Sequence, residues 1–247
     1  MDIKQPIIHD RHIVKSFFED MKNKKLHSKA FKMPNDLTIV TCRNEGSMED
    51  RIIEHLKGYE LKSILECSLE YLGIDELVVL KDDRLPWRNT FKFEMIHNYL
   101  NSGKCTTEYF MCCDAIDVIF QDSPQAVIDI FESFDCECLF MSTHSTDGYD
   151  CMGEVKNFVD EINGGNRRYL NSGVYIGKTS LVKEMFDEAI KYAIPHGVTM
   201  GDYREYLSRK PADYPKGSQD QDIFRYIEPK FYPRVKVDYQ NLMAYRS

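Results

Sequence analysis

A chain of 247 residues, 43% hydrophobic and 29% charged, is long enough for one large α/β domain or two small ones and has the balance of a soluble globular protein. Its net charge of −8 excludes a general nucleic-acid binder, whose phosphate contacts need clustered Lys and Arg. No run approaches the ~18 apolar residues of a membrane span, and the charged start "MDIKQPIIHDRH" lacks the apolar core of a signal peptide. The eight cysteines fall largely in apolar runs such as "YFMCC" and "CECLF", where reduced thiols act as small hydrophobes. With the missing signal, they predict a cytoplasmic protein.

Residues 1–35 read as an N-terminal helical extension. Within it, 11–23 place Ile13, Val14, Phe17, Phe18 and Met21 at helical spacing, a candidate dimer element. The basic stretch "KNKKLHSK" (22–29) that follows reads as a solvated helix end. Residues 36–247 read as one domain, opening with the buried strand "DLTIVTC" (36–42). A helix follows from Ser47 as N-cap, then "ELKSILECSLEYLG" (60–73), a helix stopped by Gly73. "ELVVL" (76–80) is a second strand, and 89–100 a helix with Phe93, Ile96, Tyr99 and Leu100 inward. The strand "EYFMCC" (108–113) precedes a helix at 123–134 with Pro124 in its first turn. Strands at 138–143 and 173–177, helices at 180–193 and 219–227, and a last strand at 234–238 complete the series. Strands alternating with helices predict an α/β fold: a mostly parallel central sheet flanked by helices. The long loops at 144–168 and 195–218 are of the kind that cover sites.

Ligands in open α/β sheets sit beyond the carboxyl ends of the strands. That rule selects Thr41–Asn44, Asp114–Asp117 and Thr143–His144. The sharpest feature is "YFMCCDAIDVIF" (109–120), an apolar strand that delivers Asp114 and Asp117 to its exit. Two carboxylates this close repel unless a cation or proton lies between them. Mn²⁺ or Mg²⁺ suits them, because hard cations take carboxylate oxygens and bridge to phosphates. "GVYIGKTS" is one residue too short for a Walker loop, which requires four residues between Gly and Gly-Lys-Ser/Thr. A zinc site from Cys136, Cys138 and His144 lacks the C-x-x-C spacing.

"DAIDVIF", "RRYLNSGVYIG" (167–177), "SQDQDIFRYI" (218–227) and "VKVDYQNLMAY" (235–245) occur in an order that resembles a known family. These segments are similar to the GT-A-type glycosyltransferase domains of procollagen lysyl hydroxylases and collagen hydroxylysine glycosyltransferases, over residues 37 to 245. The resemblance implies a GT-A-like domain with a UDP-sugar donor, and a metal on Asp114 and Asp117. It places Asp220, Gln221 and Asn171 in catalysis and puts Ser172 and Gly173 against the sugar or acceptor. In the resembled domains a histidine near the end completes the metal shell; here the matching residue is Tyr239, a poor ligand at neutral pH. Asp238 is a candidate third ligand, with water the alternative. His9 and His97 read as uninformative and structural, and His196 as a replacement ligand.

The resemblance further puts Thr41, Arg43 and Asn44 against the nucleotide, with Lys92 and Asp114 beside its phosphates. Trp87 and His144 are candidates for the acceptor cleft, and Asp222 for a solvated helix face. The activity implied is transfer of glucose or galactose to a hydroxyl acceptor, possibly (galactosyl-)hydroxylysine of a collagen-like chain. A non-catalytic UDP-sugar or glycan-binding module and a P-loop kinase are the alternatives.

Overall fold

The computed structural model describes residues 4–10, 16, 30–44, 62–83, 89–145, 153–163, 168–193 and 220–246. The helices expected at 11–23 and from Ser47, the basic stretch at 22–29, Trp87 and His196 lie outside them. The central strand β4 (Tyr109–Cys113) is buried at every position. Phe110 and Cys112 enter one hydrophobic core while Tyr109, Met111 and Cys113 enter another. Alternation across a strand with both faces covered accounts for its unbroken apolar run.

Beside β4 lies β2 (Leu37–Arg43), and beyond it β3 (Val78–Lys81). On the other flank come β7 (Tyr169–Lys178), β6 (Cys138–Thr143) and β8 (Val235–Val237). The order is β3-β2-β4-β7-β6-β8. β2 runs parallel to β3 and β4, and β6 parallel to β8, while β7 is antiparallel to both of its neighbours. The expected mostly parallel sheet is present, with one reversed strand.

One face is covered by α2 (Asn89–Asn101), α5 (Thr179–Ala193) and α6 (Asp220–Phe231). The other is covered by α1 (Ile64–Tyr71) and α3 (Pro124–Ser133). Ser63 and Glu66 form a reciprocal capping box at the start of α1, and Gly73, at φ +86°, ends it as expected. Ser123 caps α3, with Pro124 in its first turn. The helix α4 (Glu154–Ile162) occupies part of the span read as a loop.

A second sheet was not foreseen. It is made of β1 (Ile7–His9), β5 (Val118–Phe120) and β9 (Ala244–Tyr245) in the order β5-β1-β9. Residues 7–9 are therefore part of the domain and not of an extension. Ile7 pairs Phe120 and His9 pairs Val118 in antiparallel register, while Ile7 pairs Ala244 in parallel. β1 is thus sewn to the strand that follows the acidic turn.

Candidate functional site

β4 ends at Cys113, and the chain turns through Asp114–Asp117 into β5. Three backbone bonds fix this turn: Asp114 N donates to Gly173 O at 2.8 Å, Leu65 N donates to Ala115 O at 3.1 Å, and Asp10 N donates to Asp117 O at 3.1 Å. Because β1 lies alongside β5, His9 comes up against both carboxylates. Its Nε2 is 3.3 Å from Asp117 Oδ2 and 3.9 Å from Asp114 Oδ2. The ring is buried, with Nδ1 3.1 Å from Met141 Sδ. Ligand atoms of His9, Asp114 and Asp117 lie within 4.8 Å of one another. Two carboxylates and an imidazole form an oxygen-rich donor set that suits a divalent cation such as Mn²⁺.

On the far side of Asp114 stands Lys92, carried by α2. Its Nζ donates to Asp114 Oδ1 at 2.8 Å and lies 2.7 Å from Asp220 Oδ2. The second contact is an ion pair whose angle misses the hydrogen-bond axis. Burial alone would depress the ammonium, but Asp114 and Asp220 outweigh it and hold the Lys92 pKa well above the ordinary lysine value. Asp114 is pushed above the usual carboxylate range by burial, opposed by Lys92. One ammonium therefore joins the acidic turn to the start of α6.

Packing sets the position of that start. Phe224 of α6 packs on Phe140, Tyr175, Phe93 and Phe186, with ring centroids 5.2 to 5.7 Å apart. The fully buried Arg225 donates to Leu170 O at 2.9 Å and Ser145 O at 3.0 Å, tying α6 to β7 and to the end of β6. The Gln221 amide lies between Asn171, 2.7 Å away, and the Arg225 guanidinium, 3.0 Å away in the orientation that gives the guanidinium an acceptor.

"LNSG" owes its place to a bulge. Along β6 the partner of Phe140 is Tyr175, but the partner of Met141 is Asn171. Ser172, Gly173 and Val174 are thus surplus to the β6–β7 ladder, and the strand arches towards the acidic turn. Asn171 Oδ1 accepts from Gly173 N at 2.9 Å and braces the arch. A Cβ on Gly173 would stand 2.4 Å from His9 Cε1 and 2.9 Å from both Asn171 Oδ1 and Asp114 Oδ2. This glycine is required by contact. "GKTS" instead ends β7 and begins α5, with Gly177 laddered to Phe110 and Cys138 and Lys178 exposed. Strand backbone of this kind cannot wrap a phosphate, so the P-loop reading is corrected.

The structure thus brings together Asp114, Asp117, Lys92, Asp220, Gln221, Asn171 and Gly173, with Ser172 buried in the arch. Asp238 takes a different part: its Oδ2 accepts from Met243 N at 2.7 Å inside the turn before β9, and it lies outside the ligand group. The expectation of Asp238 as third ligand is corrected accordingly. Tyr239 keeps its proton, since burial raises its phenol far above the usual value. Three expected nucleotide contacts spend their polar groups inside the fold. Thr41 Oγ1 donates to Cys113 O at 2.8 Å, Arg43 pairs with Glu66 at 2.7 Å, and Asn44 Nδ2 donates to Asp82 O at 2.6 Å. All three are buried.

Asp222, expected on a solvated face, is also buried. His144 is exposed just past β6, and His97 pairs with Asp187 at 2.9 Å, a structural role as expected. His9 is the residue that sequence reasoning missed. The signal available was the absence of a histidine at position 239, a reason to look for one elsewhere.

No curated protein matches the chain. Solved structures similar to it at low identity include the following three. A glycosyltransferase involved in glycosylation of the major capsid of PBCV-1 shares 12% identity at a TM-score of 0.42, covering 81% of this chain and 80% of that one. Mouse xyloside xylosyltransferase 1, in its apo form, shares 10% at 0.45, covering 93% and 82%. The 4-diphosphocytidyl-2C-methyl-D-erythritol synthase of Anaerococcus prevotii shares 11% at 0.34, covering 91% and 78%. No described helix is long and apolar enough to cross a membrane. The family model of the PLOD GT domain matches residues 38–192, which hold Lys92, both turn aspartates and the Asn171–Gly173 arch but neither His9 nor Asp220. With more than half of its length so matched, the chain belongs to the PLOD GT domain family of glycosyltransferase domains.

Proposed function

We propose that the chain transfers a hexose, glucose or galactose, from a UDP-sugar to a hydroxyl acceptor. The acceptor class implied by the family is hydroxylysine or galactosyl-hydroxylysine of a collagen-like chain. The observation that carries the reading is the Lys92 bridge, which sets Asp220 and the Asp114–Asp117 turn on either side of one ammonium. On this reading a sugar diphosphate would bind with its charged end at the turn and its anomeric carbon towards α6.

In the transfer, the bond from sugar C1 to the β-phosphate oxygen breaks and one from C1 to the acceptor oxygen forms. The acceptor proton passes to a base, and UDP leaves as the anion. Asp114 and Asp117 would hold a divalent cation, Mn²⁺ or Mg²⁺, whose charge would neutralise the departing diphosphate. Lys92 adds a fixed positive charge beside the phosphates, a contribution that counts for more in a buried site than in water. Asp220 faces the carbon at which positive charge develops and accepts the acceptor proton or stabilises that charge. Asn171 and Gln221 offer amides to sugar hydroxyls.

UDP release from UDP-glucose and UDP-galactose, with and without Mn²⁺, tests this reading. Wild type is expected to release UDP from one of them only with metal, and Asp117→Ala to fall at least about 100-fold, a loss typical of removing a charge-stabilising group. UDP binding without turnover, even with hydroxylysine acceptors, would instead indicate a binding module. Lys178→Ala serves as the control: its side chain is exposed at the end of β7, so UDP release should stay within twofold of wild type.

A further inference from the structure

We propose that His9 is the third protein ligand of the metal, so that the site is completed by the first strand of the domain and not by its tail. The inference rests on the metal-dependent reading above. Four observations converge on it, and all are geometric.

First, the tail carboxylate stands apart from the turn: Asp238 Oδ2 accepts from Met243 N before β9, and Asp238 is not in the group of ligand atoms that lie within 4.8 Å of one another. Second, Nε2 of His9 faces the two carboxylates, while Nδ1 is turned away onto the Met141 sulfur. Of the three groups, His9 is the most buried: 5% of its side chain is exposed, against 29% for Asp114 and 13% for Asp117. A buried imidazole edge aimed at two acids is where a cation would gain most from a nitrogen ligand. Third, the backbone fixes the ring. His9 is in register with Val118, the residue after Asp117, and Asp10 N bonds Asp117 O at 3.1 Å. A slip of one residue in β1 would turn the imidazole to the opposite face of the sheet. Fourth, the arch of β7 leaves no side chain at Gly173, the point where a Cβ would strike His9 Cε1. The space the ring needs is provided by another element.

The ligand set would thus draw on two elements far apart in sequence, His9 from β1 and Asp114 with Asp117 from the turn after β4. The family match begins at residue 38, so this histidine lies outside the matched segment.

Pulsed EPR of the full chain loaded with Mn²⁺ tests the assignment. Wild type is expected to show nitrogen modulation from a coordinated imidazole, and labelling the histidines with ¹⁵N should convert it to the ¹⁵N pattern. In His9→Gln the modulation should vanish, and calorimetric Mn²⁺ affinity should drop at least tenfold. His9→Asp, which supplies an oxygen ligand, should recover much of the affinity with no nitrogen signal. His97→Gln should leave the signal intact. Thermal melting of the metal-free variants identifies which of the two His9 replacements is folded and can be compared. Mn²⁺ binding without nitrogen coupling, or coupling that persists in a folded His9 variant, would overturn the assignment while leaving metal-dependent transfer standing. Failure of wild type to bind Mn²⁺ or Mg²⁺ at all would overturn both.

Discussion

Gly173→Ala is expected to cost at least about 100-fold in UDP release, the scale set by misplacing catalytic groups by about 1 Å. The added methyl would lie 2.4 Å from His9 Cε1 and 2.9 Å from Asp114 Oδ2 and Asn171 Oδ1, so all three side chains must give way. Each belongs to the site. The backbone at Gly173 is not in the left-handed region, so alanine brings no torsional strain and the damage is confined to contacts. Overpacking of this kind costs about 1–3 kcal/mol of stability, which a domain of this size can survive. The discriminating measurement pairs UDP release with Mn²⁺ affinity on protein shown by thermal melting to be folded. A folded Gly173→Ala protein with wild-type values of both would show that the arch of β7 does not shape the site.

Lys92→Met should have the larger effect on stability. Methionine retains much of the length and apolar stem of lysine but leaves Asp114 and Asp220 with no ammonium between them. Asp114 is already pushed upward by burial, and the attraction of Lys92 is the chief force opposing that push. Removing one partner of a buried ion pair costs about 3–5 kcal/mol, because the remaining charges stay desolvated and unpaired. Urea denaturation should show a loss of this order, and UDP release should disappear with it. The double variant Lys92→Met/Asp220→Asn should recover part of the lost stability without restoring release, since it removes one of the two stranded carboxylates. A single variant as stable as wild type would mean that solvent reaches the pair in place of lysine.

Strands buried on both faces could be read from the sequence because their signal is long and local. "YFMCC" leaves no reading other than a covered strand, and its aspartates necessarily appear at its end. Helix signals were equally clear at Gly73, Ser123 and Pro124, which do in the structure what their chemistry predicts, whereas the capping box at Ser63 lay inside a helix expected to begin at residue 60. The second sheet was hidden because strands of three and two residues show no period. β1 is defined by its partners, which lie far along the chain. The same limit applies to the candidate ligands: Asp114 and Asp117 share one motif, whereas His9 reaches them only through the register of β1 on β5. Thr41, Arg43 and Asn44 show a related limit: polar residues at the end of a parallel strand suggest a ligand, and the sequence does not reveal that each also bonds a neighbouring element. Asp222 was misjudged for a related reason, since helical spacing alone does not reveal what α6 packs against.

The pairing of β1 with β9 also bears on how the protein is made. Synthesis delivers Ile7–His9 before β5 and β9, and Ala244, the partner of Ile7, comes far later in the sequence. Contacts of such separation form slowly, because a very long loop must close before they are rewarded. Until β9 emerges, β1 has at most its pairing to β5, with its other edge open to unwanted strands. A chain not yet made as far as β9 can therefore build the large sheet and its acidic turn, yet β1, which carries His9, is held on both sides only once β9 is present. A ribosome-bound fragment that stops short of β9 would present the acidic turn without a fully secured His9.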